Sequence, residues 1–445
     1  MGKPSMRGDP SEADRRAPSI LTQGLTRRGT HWLLAGALLG GFGAYLFQLV
    51  GTRALGRAAY APIGTLWTIQ YLCWSVVLTS IESFVVREVL RDHVGRPLHR
   101  VTLLRIWAWI GGLAAALTAG SWVVRDSVFY GMGDLALVAG LTVVSFGSLA
   151  VVRGRLAGEE RFAAYGAVSA AESLVRVVLA VTVVLVGATA RALAWVLPVG
   201  GAVAAGSWIA LQGPKKGRAG PEDPAPSRLG RFVLFNSVSN GVAHLLLAGG
   251  PLALVALSAG PREVSIFFVT VTAARVPVVF ALGGILSRLL PSFTRVLDGR
   301  GPAALPRLAT RIALGAASVA AIGAGAGAAI GGRAIAVLFG AEFRPPSWLA
   351  AAAAGGVLLA TGGMVLNQLL VASGLEHRLP IPWLVGLAAA LAAILLLSGS
   401  PSWRTVMACV FGESAAIVGL AAAARPPRPS NHPDHPSTPA SWSTP

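Results

Sequence analysis

The chain has 445 residues, of which 54% are hydrophobic and only 13% charged, with a formal net charge of +18. Soluble domains carry about 25% charged residues, so an ordinary soluble protein is excluded. Continuous apolar runs of about 20 residues argue for membrane helices and against the alternating strands of a β-barrel. The basic residues sit between the apolar runs, as loop charge does, which argues against a nucleic-acid partner.

Residues 1–30 are polar and basic and contain no apolar stretch of a cleaved signal, so they are expected to form a cytoplasmic N-terminal tail. Twelve apolar segments follow, at about 31–50, 62–82, 102–123, 135–153, 164–187, 190–211, 231–257, 264–290, 308–330, 347–371, 380–398 and 402–424. "GGFGAYL" lies inside the first, where its glycines serve close helix packing; cradling a phosphate needs a strand-to-helix turn. Arg87 and Arg288 stand at the inner ends of segments 2 and 8, and Arg105 near the inner end of segment 3. Arg87 and Arg288 act as positive-inside anchors and Arg105 snorkels to the interface, or the three form a cationic mouth that gathers anionic head groups.

Segment 5 contains Glu172 and Arg176. Either charge costs about 2.5–3.5 kcal/mol near a bilayer centre. Four residues apart, they share a helix face and can touch. The pair either neutralises itself and locks the helix to a neighbour, presents Arg176 to a cavity with Glu172 tuning it, or snorkels to the cytoplasmic edge. Only "AT" separates segments 5 and 6, which predicts a tight hairpin.

The polar stretch 212–230, rich in Pro, Gly and charge, reads as a cytoplasmic linker between residues 31–211 and 231–424. In segment 7, Asn236, Asn240 and His244 recur every fourth residue and share a face that either lines a cavity or binds a neighbouring helix. In segment 8, Arg275 sits near mid-depth with no acid within a turn, so it must face water, a partner helix or an anion. Pro277 is expected to kink that helix. Segment 9 is rich in Ala and Gly and is expected to end before "RAIAVLFGAEF". Glu413, in segment 12, is either protonated and silent or part of a cation-coupling site. Residues 425–445 read as a disordered cytoplasmic tail whose histidines lack partner ligands.

With the N-terminus in the cytoplasm, inside loops hold Lys and Arg over outside loops by roughly three to one, which predicts both termini inside. Cys73 and Cys409 fall in apolar runs and imply neither a disulfide nor a metal site. No catalytic motif is present, so no enzyme activity and no cofactor are expected. The halves also echo each other: "GRLAGEERF" between segments 4 and 5 resembles "LVASGLEHRL" between segments 10 and 11, and "ALGRAAYAPIG" resembles "SAGPREVSIFF". Six spans in each half make parallel repeats about an axis along the membrane normal.

"SIESFVVREVLRD", "VVRGRLAGEERFAAYG", "AAESLVRVVLA" and "GGPLALVALSAGPREVSIFFVTVTAARVPVVFALGGILSRLLPSF", with twelve spans and a mid-chain linker, resemble the polysaccharide-flippase branch of the MOP exporter superfamily over about residues 30–420. The resemblance implies an all-α polytopic membrane protein of two six-helix lobes (MATE-like). It also implies alternating access and an undecaprenyl-pyrophosphate-linked glycan as cargo, with cavity arginines such as Arg176 and Arg275 meeting the pyrophosphate. The partners so implied are the lipid-linked glycan, membrane lipids and other polysaccharide-assembly proteins, around a monomer in the cytoplasmic membrane. A cation-coupled exporter of small molecules, resembling the multidrug branch, and a non-transporting scaffold of a cell-envelope complex are the alternatives.

Overall fold

The computed structural model describes residues 27–91, 100–187, 189–212 and 241–425. Nearly all of the expected tails and linker therefore lies outside the described residues. Every regular element among the described residues is helical.

In chain order the helices are α1 (Arg27–Ala59), α2 (Ala61–Cys73), α3 (Thr79–Arg91), α4 (Arg100–Val123), α5 (Leu135–Gly158), α6 (Phe162–Gly187) and α7 (Ala190–Gln212). Then come α8 (241–248), α9 (Gly250–Ala256), α10 (Pro261–Arg300), α11 (Leu305–Ala326), α12 (Gly332–Phe339), α13 (Ser347–Ala372), α14 (Pro380–Leu396) and α15 (Pro401–Ala423). Ten continuous helical stretches among the described residues are long and apolar enough to cross a membrane. The two other expected segments correspond to α8 with α9 and to part of α10. That last helix has 40 residues, about 60 Å at 1.5 Å per residue, twice the hydrocarbon thickness of about 30 Å. Its second half carries Arg288, Arg295 and Arg300.

The irregularities are local. A π turn, Trp74–Leu78, joins α2 to α3, and another, Gly327–Gly331, joins α11 to α12. Segment 9 thus does not end before "RAIAVLF", as its composition suggested. The apolar residues of α12 prolong it to Gly340, whose φ of 115° ends the helix in a conformation that favours glycine. The α10 helix runs unbroken through Pro277, the residue expected to kink it, and through Pro291. The α1 helix is interrupted at Gly56, with φ 71°.

The echoed loop sequences adopt one turn. After α5, Arg161 N–H donates to the Leu156 carbonyl and Glu160 N–H to Ala157; after α13, Leu375 donates to Leu370 and Gly374 to Val371. Glu160 and Gly374, both at positive φ (56° and 72°), occupy the equivalent left-handed position of a Schellman cap.

Small residues set the closest packing. A Cβ on Gly36 of α1 would sit 2.5 Å from the Gly166 Cα of α6, and one on Gly386 of α14 would lie 2.7 Å from the Gly412 carbonyl oxygen of α15. Helices lacking a hydrophobic drive toward each other in lipid associate through such close backbone contact. Residues of α1 to α7 pack largely on one another, and so do those of α11 to α15. The α1, α2, α9 and α10 helices carry most of the contact between the two groups.

That contact is dense at the end where α1 turns into α2. Tyr60 and Phe268 meet with ring centroids 6.2 Å apart, and Gly64 leaves just enough room for the Phe268 ring. Ile335, Phe339 and Phe343 of the second half join one buried cluster with Phe47, Leu66 and Leu193 of the first. Arg53 of α1 donates through Nε to the Leu338 carbonyl at 2.9 Å and through Nη2 to the Val337 carbonyl. These are C-terminal carbonyls of α12 with no partner further along the helix.

Candidate functional site

The membrane arginines occupy different settings. Arg176 lies on α6, whose outward face exposes Leu174, Val178 and Leu185. Its opposite face buries Glu172 and Arg176, at 6% and 3% exposure. Arg176 Nη2 donates to Glu172 Oε1. The guanidinium lies over the rings of Trp67 and Phe146, 5.0 Å and 5.5 Å from their centroids. Gly200 of α7 leaves only 3.4 Å between a Cβ built there and the Arg176 Cβ. The Ser173 hydroxyl is 3.0 Å from the Gly40 carbonyl and 3.2 Å from Glu172 Oε2, and its one hydrogen serves either. The expected Glu172–Arg176 contact is therefore present, enclosed by helices of the first half.

Arg275 lies at the interface of the halves. Its guanidinium stands 5.5 Å from the ring centroid of Tyr71, on α2. The Tyr71 ring meets that of His244, on α8, at 6.1 Å and 47°. The Tyr45 phenol of α1 lies within reach of the Arg275 charge. Arg275 also hydrogen-bonds to its own half, donating through Nη2 to the Leu247 carbonyl. The local sequence explains this bond. In a continuous helix the Leu247 carbonyl would accept from the N–H of residue 251, but Pro251 has none. The helix is interrupted at Gly249, and the arginine supplies the missing donor.

Glu413, on α15, is 1% exposed, and neither carboxylate oxygen has a hydrogen-bond partner among the described residues. It lines a narrow cleft with Leu247, Gly250, Phe267, Val271, Gly356 and Cys409. The Arg275 charge acts on this carboxylate. No group of three or more metal-binding side chains occurs among the described residues.

Other expected residues fall elsewhere. Asn236 and Asn240 lie outside the described residues; of that polar stripe, His244 alone is placed. Arg288 belongs to α10, and its side chain is outside the described set. Arg87 on α3 and Arg105 on α4 are both exposed. Sequence reasoning missed the tyrosines of the interface, Tyr45 and Tyr71. It also missed a polar cluster in the first half: Tyr165 donates to Glu82 Oε1 at 2.8 Å, and Arg153 Nε stands 3.6 Å from Glu82 Oε2. Arg153 lies over the rings of Trp74 and Tyr165 at 4.8 Å and 4.5 Å. The signal for that cluster was the pairing of an acid ending segment 2 with an arginine ending segment 4.

No family model matches the chain. It is 27% identical over 350 residues to an uncharacterized protein of Mycobacterium tuberculosis (strain ATCC 25618 / H37Rv), covering 74% of this chain and 76% of that one. An uncharacterized protein of Mycobacterium bovis is 28% identical over 405 residues, covering 86% and 88%. Among solved structures, a multidrug-resistance MATE-family transporter of the MOP superfamily in an inward-facing conformation aligns with a TM-score of 0.62 and 14% identity, over 88% of this chain and 97% of that one. A MOP-superfamily transporter from Pyrococcus furiosus, described as having a binding pocket of reversed polarity that suggests a different function, aligns with a TM-score of 0.59 and 18% identity, over 89% and 94%. The fold is therefore MATE-like, all-α and polytopic.

Proposed function

We propose that the chain is a membrane transporter that moves an anionic, lipid-linked oligosaccharide across the cytoplasmic membrane by alternating access between its two halves. The observation that carries this reading is the polarity of the interface. A guanidinium, Arg275, stands between the halves, faced by Tyr71 and within reach of Tyr45. A phosphate-bearing head group suits an arginine, whose fork matches phosphate oxygens, and aromatic faces suit sugar rings. The Pyrococcus furiosus transporter, with its reversed pocket polarity, supports the view that this architecture accommodates more than one class of cargo.

Positive-inside orientation puts both termini in the cytoplasm. The end sealed by Tyr60, Phe268 and the Arg53 clasp then faces outward, so Arg275 would be loaded from the cytoplasmic side. That agrees with the inner-to-outer direction of transport that the flippase resemblance implies.

The test is deletion of the gene, with measurement of surface glycan and of lipid-linked precursor. The expected result is precursor accumulation, reversed by the wild-type gene but not by Arg275→Gln. Unchanged precursor and glycan in a strain without a paralogue would overturn the reading. A cation-coupled exporter of small molecules is the second reading, favoured by the buried Glu413 carboxylate, which has no hydrogen-bond partner among the described residues. It expects pH- or sodium-driven efflux of cationic dyes that Glu413→Gln abolishes.

A further inference from the structure

The break between α8 and α9, Arg275 and Glu413 form one unit that none of their separate roles explains. Pro251 deprives the Leu247 carbonyl of its helical donor, and Arg275 fills the vacancy. Leu247 and Glu413 line the same cleft. The Arg275 guanidinium holds that carbonyl, and its charge also reaches a carboxylate whose two oxygens have no hydrogen-bond partner among the described residues.

We propose that Glu413 and the Leu247 carbonyl compete for Arg275, and that a proton on Glu413 decides the outcome. With the proton in place the carboxyl is neutral, and Arg275 stays on Leu247, over the Tyr71 ring and facing the other half. When the proton leaves to water, the carboxylate draws Arg275 back into the second half. The Leu247 carbonyl then loses its donor, and the α8–α9 break is loosened. Protonation thereby places the cation at the interface, and deprotonation withdraws it.

The chemistry of the cleft selects a proton over a metal ion. Apart from Glu413 and Cys409, its lining side chains are apolar, among them Phe267, Val271 and Gly356. A hard cation requires several oxygen ligands, and one carboxylate supplies too few. Among the described residues, the groups that bear on Glu413 are few. Arg275 approaches from α10, and Cys409 lies one turn earlier on the same helix. The α9 and α13 residues lining the cleft are apolar, and α14 has no titratable side chain. Arg307 and Arg311 of α11 are exposed. His244 lies at the interface against the Tyr71 ring, and the variants below separate it from Glu413.

This inference deepens the transporter reading, and only its ligand arm rests on that reading. In the first arm, undecaprenyl pyrophosphate is titrated into the purified full-length protein in nanodiscs over about pH 5 to 9. Since the protonated state presents Arg275, affinity should fall as pH rises, by up to about tenfold per pH unit, the limit for one linked proton. Glu413→Gln, a mimic of the protonated form, should bind tightly across the range and remove the pH dependence. A wild-type pH dependence that survives Glu413→Gln would overturn the proposal and assign the titration to another group, His244 first.

The second arm needs no ligand. The carbonyl-stretch infrared band of a protonated carboxylic acid is followed against pH. It should disappear in Glu413→Gln, and in wild type it should vanish as pH rises. In Arg275→Gln it should persist to higher pH, because the cation that favours the carboxylate is gone. A band that titrates identically with and without Arg275 sinks the competition. Failure of the probe to bind at any pH, with the infrared shift intact, would count against the cargo and leave the switch standing.

Discussion

Arg176 and Arg275 are both arginines at membrane depth, and they solve the same problem in opposite ways. Arg176 is sealed among helices of one half, with a carboxylate four residues away on its own helix and aromatic rings on its flanks. Arg275 has no acid on its own turn. It is held by a backbone carbonyl that a proline elsewhere has left without a donor, and it leans on a ring from the other half. An ion pair with local partners moves with its half and fixes packing. A cation held by one carbonyl and a cross-interface ring is sensitive to how the halves sit. Under the proposed function, Arg176 serves construction and Arg275 serves transport.

Removing the partner of the sealed arginine should have the largest effect. Glu172→Gln leaves a guanidinium buried without a counter-charge, which costs about 3–5 kcal/mol in comparable sites. The thermal midpoint of purified protein in detergent should fall accordingly. Glu172→Leu combined with Arg176→Met should recover most of the loss, since an apolar pair needs no compensation. A Glu172→Gln protein as stable as wild type would mean that water reaches Arg176, and the contrast would collapse.

Taking away the ring beneath each arginine sharpens the same contrast. Trp67 flanks Arg176 and also stacks on Phe47 at 5.3 Å and 19°. Trp67→Leu should cost about 2 kcal/mol or more of stability, the range for a desolvated cation–π contact. Tyr71→Leu, beneath the half-buried Arg275, should cost about 0.5–1 kcal/mol while lowering export. Equal stability losses would say that the two settings do not differ. Arg275→Gln continues the series: stability should change by about 1 kcal/mol, the worth of an ordinary hydrogen bond, and export should be lost.

How legible was this contrast before any coordinates? Composition and the length of the apolar runs were sufficient for the polytopic helical architecture, because lipid leaves the backbone few alternatives. The Glu172–Arg176 contact was readable too, since four-residue spacing on a helix fixes adjacency. Arg275 was readable only as a question. Its carbonyl partner is 28 residues away, and its ring partner is in the other half of the chain; neither spacing leaves a periodic trace. Pro251 leaves the Leu247 carbonyl without its helical donor, but nothing in the sequence says which side chain replaces it. Segment 9 was misjudged because Ala and Gly blur the boundary between helix and loop, whereas the stop at Gly340 depends on a backbone angle. The turns at Glu160 and Gly374 lie at the other extreme, where a short shared sequence corresponds to a shared set of hydrogen bonds.

The smallest expected effect is the most specific, because it tests the cause assigned to the Arg275 position. If Arg275 holds Leu247 because Pro251 cannot, then Pro251→Ala should make the arginine's bond redundant. Gly249 already has near-helical dihedrals, φ −73° and ψ −6°, so an N–H at residue 251 needs little rearrangement to reach the carbonyl. Pro251→Ala alone should change stability little, since one donor replaces another. Arg275→Gln should then cost less in the Pro251→Ala background than in wild type. The double-mutant coupling should be about 0.5–1 kcal/mol, within the span of a single hydrogen bond. Strict additivity would show that the arginine is placed by something other than the carbonyl that the proline leaves bare. In that case the competition with Glu413 would lose its second acceptor.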